Sequence, residues 1–255
     1  MRKTSFHNVP ATLICGHGSR SPEAAAEFTS LLKNLQKARP DLPLAGAYLE
    51  FNSPTIPEGL QAFYDQGHRT IHVQPLTLYN AGHTKADIPD ILSTFKDQNP
   101  DVILKYGSAL GLTDQMIAVA AASVESVLPE GDRENCKLLV VGRGSKDRAV
   151  ADQTITLCRK LHDRFDFGDS RYCYAADSAP LLDSALTQAA RSHYPEVVVL
   201  PYLLFSGRLR RDIQTAITAA AAKYPDFTFH MAPHLGIQDA LADAILAKID
   251  VIGQF

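Results

Sequence analysis

The sequence has few of the features that mark exported, membrane-spanning or nucleic-acid-binding proteins. Its 255 residues include only four cysteines, which are widely separated and form no Cys-x-x-Cys pair. This pattern is typical of reduced thiols in a cytoplasm. No stretch approaches the length of a membrane span, and the first fifteen residues lack a long apolar segment, so we expect no signal peptide. A formal net charge of −3 without basic runs gives no reason to expect a nucleic-acid partner.

What the sequence does contain is an internal repeat. The residues around His17 reappear around Arg143, 126 positions later, and further matches follow in the same order at an offset of 125 or 126. The matching pairs are residues 13–20 and 139–146, Tyr48 and Tyr174, Pro54 and Pro180, residues 75–88 and 201–213, and residues 110–114 and 235–239. Chance similarity between α/β units does not explain a nearly constant offset. The repeat predicts two domains, residues 1–130 and residues 134–255.

Each repeat has the alternation of strands and helices that is typical of a parallel sheet covered on both faces. The predicted strands are residues 12–15, 44–51, 70–76 and 102–106, then 137–141, 172–175, 197–203 and 228–232. The fold class is therefore α/β, with two Rossmann-like parallel-sheet domains from an internal duplication. Ligands of such sheets bind beyond the carboxyl ends of the strands.

Three candidate metal ligands each lie at or just beyond the carboxyl end of one of the first three strands. They are His17, Glu50 and His83. Two imidazoles and a carboxylate suit Zn²⁺, Co²⁺, Fe²⁺ or Ni²⁺ and leave coordination positions open. A single histidine in a loop is usually a surface residue, but these two occupy equivalent positions after strands, and the second repeat changes both. Glu50 could equally cap a helix. The nearby Cys15 is interpreted as a small buried apolar residue.

The second repeat replaces the three candidates by Arg143, Ala176 and Arg208. Arginine does not ligate metals, but its planar guanidinium binds carboxylates with two parallel hydrogen bonds. If the two halves close on each other, the metal would face the guanidinium groups, and the ligand would have a metal-binding centre and acidic edges. The alternative is that the arginines form salt bridges between domains.

These motifs resemble a known family. Residues 13–20 (LICGHGSR), Glu50 and residues 78–89 (LYNAGHTKADIP) are similar to the CbiX/SirB group of sirohydrochlorin chelatases. Residues 141–145 and 201–208 resemble the degenerate second half of the long members. The resemblance implies a class II chelatase fold and insertion of Co²⁺ or Fe²⁺ into sirohydrochlorin, without ATP, for cobalamin or sirohaem. It places metal binding and catalysis on His17, Glu50 and His83.

The expected substrate is a flat tetrapyrrole with eight carboxylates. The residues expected to bind its acidic rim are Arg20, Arg143, Arg208 and Ser19. The Gly-His-Gly-Ser motif has the spacing of neither common nucleotide loop, so we expect no nucleotide cofactor. A histidine- or cysteine-rich tail is absent, so we expect no iron–sulfur cluster. The sequence leaves the oligomeric state and the physiological metal open.

Two other functions fit the same residues. A zinc-dependent hydrolase would use His17, His83 and Glu50 around an activated water. A metal or tetrapyrrole carrier would bind the ligand without accelerating insertion. The duplicated frame and the paired arginines favour the chelatase.

Overall fold

The computed structural model describes residues 9–79, 86–131 and 133–252. Within these ranges, strands and helices alternate along the chain, as the sequence predicts. The first repeat contains β1 (Ala11–Gly16), α1 (Pro22–Ala38), β2 (Leu44–Tyr48), α2 (Ile56–Asp65), β3 (Thr70–Pro75), α3 (Asp87–Gln98), β4 (Ile103–Tyr106) and α4 (Asp114–Glu125). The second contains β5 (Cys136–Gly142), α5 (Arg148–Phe165), β6 (Asp169–Tyr174), α6 (Leu182–Ala189), β7 (Glu196–Pro201), α7 (Arg208–Lys223), β8 (Thr228–Met231) and α8 (Ala240–Asp250).

The strands form two four-stranded sheets of the same topology. The strand order is β2-β1-β3-β4 in one sheet and β6-β5-β7-β8 in the other, and every pairing is parallel. The predicted α/β duplication is thereby confirmed. The central strands β1 and β5 are buried along their whole length, because helices cover both faces of each sheet.

The strand order also locates where each sheet can bind a ligand. The chain leaves β1 toward one side of its sheet and leaves β3 toward the other, so the loops after these two strands diverge at their carboxyl ends. Ligands bind at such a topological switch point in open α/β sheets. His17 directly follows β1, and the segment containing His83 follows β3.

Helix α1 shows how the local sequence sets an element. Ser21 is its N-cap residue and Pro22 its first residue, although the Ser21 hydroxyl contacts Glu23 and does not cap the backbone. Proline suits this position because the first helical N–H groups lack partners within the helix. The apolar residues Phe28, Leu31 and Leu35 are buried along one face of the helix.

Strand β2 ends earlier than predicted. The sequence indicates a strand up to residue 51, but the strand stops at Tyr48. The backbone N–H of Tyr48 donates to the carbonyl oxygen of Pro54 at 2.9 Å, and Phe51 has a left-handed backbone with φ of 67°. Left-handed backbone is incompatible with a continuing strand, so residues 49–54 form a loop.

The chain divides into two compact units, each of which includes a helix from the other repeat. One unit is residues 1–111 with 242–255, and the other is residues 112–241. Helix α4 packs against β7 and α5 in the second unit. In the first unit, Asp250 of α8 pairs with Arg39 at 3.0 Å. The predicted domains, residues 1–130 and 134–255, follow the sequence repeat, whereas the compact units exchange α4 and α8 between the repeats.

Among the described residues, none of the helices combines the length and apolar character needed to cross a lipid bilayer.

Candidate functional site

Two adjacent loops bring His17 and Glu50 together beyond the carboxyl ends of β1 and β2. The strands pair up to Gly16 and Tyr48. Beyond them, the backbone N–H of Leu49 donates to the carbonyl oxygen of Gly16 at 2.9 Å, and that of Glu50 donates to the carbonyl oxygen of His17 at 3.0 Å. The two side chains therefore start from hydrogen-bonded neighbours.

The side chains themselves also meet. The imidazole Nδ1 of His17 lies 3.2 Å from Oε1 of Glu50, and the side chains are 39% and 44% exposed, respectively. Nitrogen and oxygen atoms that bind the same metal ion lie roughly this far apart, so the contact places two suitable donors side by side. The pair is thus accessible to an incoming ion and offers both nitrogen and oxygen donors.

Gly18 makes the close approach of the two loops possible. Its φ is 92°, and a methyl group added to it would lie 1.8 Å from the carbonyl oxygen of Glu50. Only glycine fits both the left-handed backbone and this contact.

Ser19 and Asn52 fasten the same loops. The backbone N–H of Ser19 donates to Oδ1 of Asn52 at 2.7 Å, and Ser19 Oγ accepts from the backbone N–H of Ser21 at 3.1 Å. The structure thus gives the Ser19 hydroxyl a role in the loop itself, and its expected contact with substrate carboxylates stays a prediction. Asn52 was not among the predicted site residues. The repeat holds a signal for it, because another hydrogen-bonding residue, Ser178, follows 126 positions later.

An exposed aromatic ring borders the His17 imidazole. The ring centroid of Phe51 lies 6.2 Å from that of His17, with the planes tilted by 44°. The guanidinium carbon of Arg20 lies 5.0 Å from the same Phe51 centroid. The structure therefore brings Arg20, one of the predicted substrate-binding residues, to the edge of the candidate metal site. Phe51 was not among the predicted site residues.

The second repeat reproduces this frame without the metal ligands. The backbone N–H of Ala176 donates to the carbonyl oxygen of Arg143 at 3.0 Å. A methyl group added to Gly144, whose φ is 108°, would lie 1.8 Å from the carbonyl oxygen of Ala176. The backbone N–H of Ser145 donates to Ser178 Oγ at 3.0 Å. Arg143 thus occupies the position of His17, and Ala176 that of Glu50, at the end of an equivalent pair of strands.

Arg208 lies at the start of α7, in the loop region after β7. Its side chain is 91% exposed, and its Nε lies 3.5 Å from Oδ2 of Asp212, one helical turn later. An exposed pair of this kind adds little stability, so the guanidinium remains available to an anion. Arg143 is also exposed.

His83 lies outside the described residues, as do all of residues 80–85. Within the described ranges, no group of three or more histidine, cysteine or acidic side chains is arranged to hold a metal ion. The described part of the site is therefore the pair of His17 and Glu50, and a third ligand from His83 stays a prediction.

Cys15 is not a further ligand. Its side chain is 1% exposed, and burial raises the pKa of its thiol far above the usual range. A thiol must lose its proton to bind a metal, so the prediction of a buried apolar role is confirmed.

Comparison with known proteins matches both repeats to one family. The profile of the CbiX family matches residues 11–127 and, a second time, residues 137–251. A sirohydrochlorin ferrochelatase of Priestia megaterium is 31% identical to this chain over 243 residues, which cover 95% of this chain and 90% of the relative.

Two further relatives extend the similarity. A sirohydrochlorin cobaltochelatase of Priestia megaterium is 26% identical over 92% of this chain and 77% of its own length. The crystal structure of the sirohydrochlorin chelatase SirB from Bacillus subtilis subspecies spizizenii, in complex with cobalt, superposes with a TM-score of 0.81 at 25% identity, over 95% of this chain and 94% of that one. The predicted chelatase-like fold is confirmed.

Proposed function

Because the chain belongs to the CbiX family, we infer that it is a sirohydrochlorin chelatase, an enzyme that inserts Co²⁺ or Fe²⁺ into the metal-free tetrapyrrole sirohydrochlorin. Relatives that match most of the chain are named for each of the two metals. The geometric observation that carries the proposal is the contact of His17 with Glu50 beyond the carboxyl ends of β1 and β2. The metal is a substrate of this reaction.

His17 and Glu50 are proposed to hold the metal ion together with His83. Nitrogen and carboxylate donors suit divalent cobalt and iron, and the choice between such ions often follows their supply. Support for His83 comes from topology, since the carboxyl ends of β1 and β3 are neighbours in the sheet. The backbone N–H of Leu76, just after β3, donates to the carbonyl oxygen of Cys15 in β1 at 2.8 Å. Partial exposure of His17 and Glu50 gives the hydrated ion access.

Insertion also requires that two pyrrole N–H groups lose their protons as metal–nitrogen bonds form. A neutral imidazole can accept a proton near neutral pH. The carboxylate of Glu50, in contact with Nδ1 of His17, can pass a proton to solvent because its side chain is 44% exposed. The lone pair of His17 would hold the ion before its transfer and would accept a pyrrole proton once the ion has moved to the ring, and Glu50 would pass that proton on.

The substrate's carboxylates are proposed to bind Arg20, Arg143 and Arg208, with Ser19 near Arg20. Support comes from the exposure of all three arginines and from the preference of guanidinium groups for carboxylates. Fixing the rim of the ring in this way would orient its nitrogens toward the metal. We place the reaction in the cytoplasm, since all four cysteines are free thiols.

The proposal is tested by following the absorbance of sirohydrochlorin with the purified protein and Co²⁺ or Fe²⁺. We expect insertion well above the uncatalysed rate, and loss of that acceleration in His17→Ala. His193→Ala is a matched control, because this exposed imidazole lies beside Tyr194 in the other unit. A wild-type rate equal to the uncatalysed rate would refute the enzyme, and full activity of His17→Ala would refute the assigned metal site.

A further inference from the structure

Phe51 is an exposed aromatic residue whose placement is not explained by packing. Its side chain is 53% exposed, so it contributes little to the hydrophobic core. Its ring lies near two groups of the candidate site, 6.2 Å from the His17 ring and 5.0 Å from the guanidinium carbon of Arg20. One surface at the carboxyl end of β2 thus contains the imidazole of His17, the apolar ring of Phe51 and the cation of Arg20.

The backbone conformation at Phe51 also disfavours phenylalanine. Its φ is 67°, in the left-handed region where a bulky side chain is strained. The equivalent residue of the second repeat, Asp177, has a φ of 58°, so the loop imposes this conformation in both copies. Aspartate is among the residues that tolerate it well. Phenylalanine thus occupies this position against the backbone preference, and strained residues of this kind cluster at ligand-binding sites.

We propose that Phe51 is a substrate-binding residue that packs against the tetrapyrrole beside the metal site, while Arg20 binds a carboxylate on the same side of the macrocycle. A flat conjugated ring with acidic substituents offers both complementary surfaces. The arrangement would hold the pyrrole nitrogens near the imidazole of His17. This inference rests on the proposed chelatase function and adds a residue that selects for a flat macrocycle.

Three variants separate ring contact from loop conformation. Phe51→Asn removes the ring and suits left-handed backbone, whereas Phe51→Tyr keeps the ring. Ile103→Asn is the matched control, since Ile103 is also 53% exposed but begins β4, at the opposite edge of the same sheet. For Phe51→Asn we expect a KM for sirohydrochlorin, and a Kd for the metal-free compound measured by fluorescence, raised about three- to tenfold.

The other measurements locate the effect. The Kd for Co²⁺ alone should stay within about twofold of wild type in every variant, and Phe51→Tyr and Ile103→Asn should retain wild-type KM. The melting temperature of Phe51→Asn should equal or exceed that of wild type. Unchanged sirohydrochlorin affinity in Phe51→Asn would overturn the inference and leave the chelatase proposal intact. Weakened Co²⁺ binding would overturn it too, since Phe51 would then act through His17. A wild-type protein that does not bind sirohydrochlorin would overturn both.

Discussion

The imidazole of His17 and the carboxylate of Glu50 approach to 3.2 Å, although α1 and β2 separate them in the chain. The contact arises because β1 and β2 are parallel neighbours whose carboxyl ends lie side by side. The backbone hydrogen bond from Glu50 to His17 continues the strand pairing into the loops. The pairing of β1 with β2 therefore sets the position of His17 and Glu50, and their imidazole and carboxylate groups supply the metal-binding atoms.

Loss of the Glu50 carboxylate should weaken metal binding. We expect Glu50→Gln to reduce the affinity for Co²⁺ about 10- to 100-fold, because it replaces the charged oxygen donor beside His17 by a neutral one. Isothermal titration calorimetry measures the change directly. Glu125→Gln, at the exposed end of α4, controls for a lost surface charge, and equal Co²⁺ affinities in both variants would argue against the site.

Alanine at Gly18 and at Gly144 should destabilise the protein similarly but affect metal binding differently. In each case the new methyl group would lie 1.8 Å from a carbonyl oxygen, and we expect the free energy of unfolding to fall by about 3 kcal/mol. Only Gly18→Ala should also weaken Co²⁺ binding, because it separates the loops of His17 and Glu50.

Gly131→Ala is the control for backbone strain alone in that comparison. Gly131 has a φ of 116°, and its methyl group would meet no atom within 4 Å. We expect a loss of about 1 kcal/mol in urea unfolding. Equal free energies of unfolding of all three variants would show that the loops around Gly18 and Gly144 move apart without loss of stability.

Arg208→Ala should weaken tetrapyrrole binding and leave metal binding unchanged. Loss of one guanidinium–carboxylate pair should raise the Kd for sirohydrochlorin about tenfold, whereas the Kd for Co²⁺ should not change. Arg211→Ala removes another exposed arginine of α7 and should have a smaller effect. Identical Kd values for sirohydrochlorin in wild type and Arg208→Ala would exclude Arg208 from the anion site.

The ion pair of buried Lys137 with half-buried Asp169 should make stability depend on pH. Lys137 Nζ lies 2.9 Å from Asp169 Oδ2, and the lysine side chain is only 7% exposed. Burial by itself would raise the pKa of Asp169, but the hydrogen bond and charge of Lys137, with Arg171 nearby, lower that pKa below its ordinary value. Because the folded-state pKa is depressed, the pair stabilises the fold above about pH 4, the unfolded-state pKa, and this contribution is lost as the pH falls through the folded-state pKa.

We therefore expect Asp169→Asn to lower the free energy of unfolding at pH 7 by about 2–3 kcal/mol, since it leaves Lys137 buried without its partner. The deficit should be constant between pH 7 and about pH 4 and shrink below, as urea unfolding at several pH values would reveal. Asp101→Asn, which removes an exposed partner of Arg69, should have a much smaller effect. A deficit that persists unchanged at pH 2 would contradict the electrostatic explanation.

Helix α4 of the first repeat and helix α8 of the second each belong to the compact unit formed mainly by the other repeat. We therefore expect that neither repeat folds alone. Residues 1–130 would retain α4, whose buried residues Met116, Val119 and Ala120 would lose β7 and α5 as partners. We expect circular dichroism of residues 1–130 and of residues 134–255 to lack a cooperative thermal transition, and co-expression of both fragments to restore it. Cooperative unfolding of the isolated first fragment would show that it is an autonomous domain.

The sequence was sufficient for the repeat, the fold class and the histidine candidate of the described site. A constant offset reveals duplication, and alternation of strands with helices indicates parallel sheets. The boundaries near the site were harder. Residues 49–51 look like a continuation of β2, yet the backbone at Phe51 turns left-handed, an effect of loop geometry that apolar patterning does not record.

Residue types and their order fixed which chemistry this chain can carry: imidazole and carboxylate in one copy, guanidinium groups in the other. Folding alone established that His17 and Glu50 touch, that Phe51 and Arg20 border them, and that each compact unit includes a helix of the other repeat. The physical reason is that side-chain chemistry and strand alternation are local properties of the chain. Distances between loops, and the surface on which a helix is buried, depend on which strands pair and which apolar faces meet.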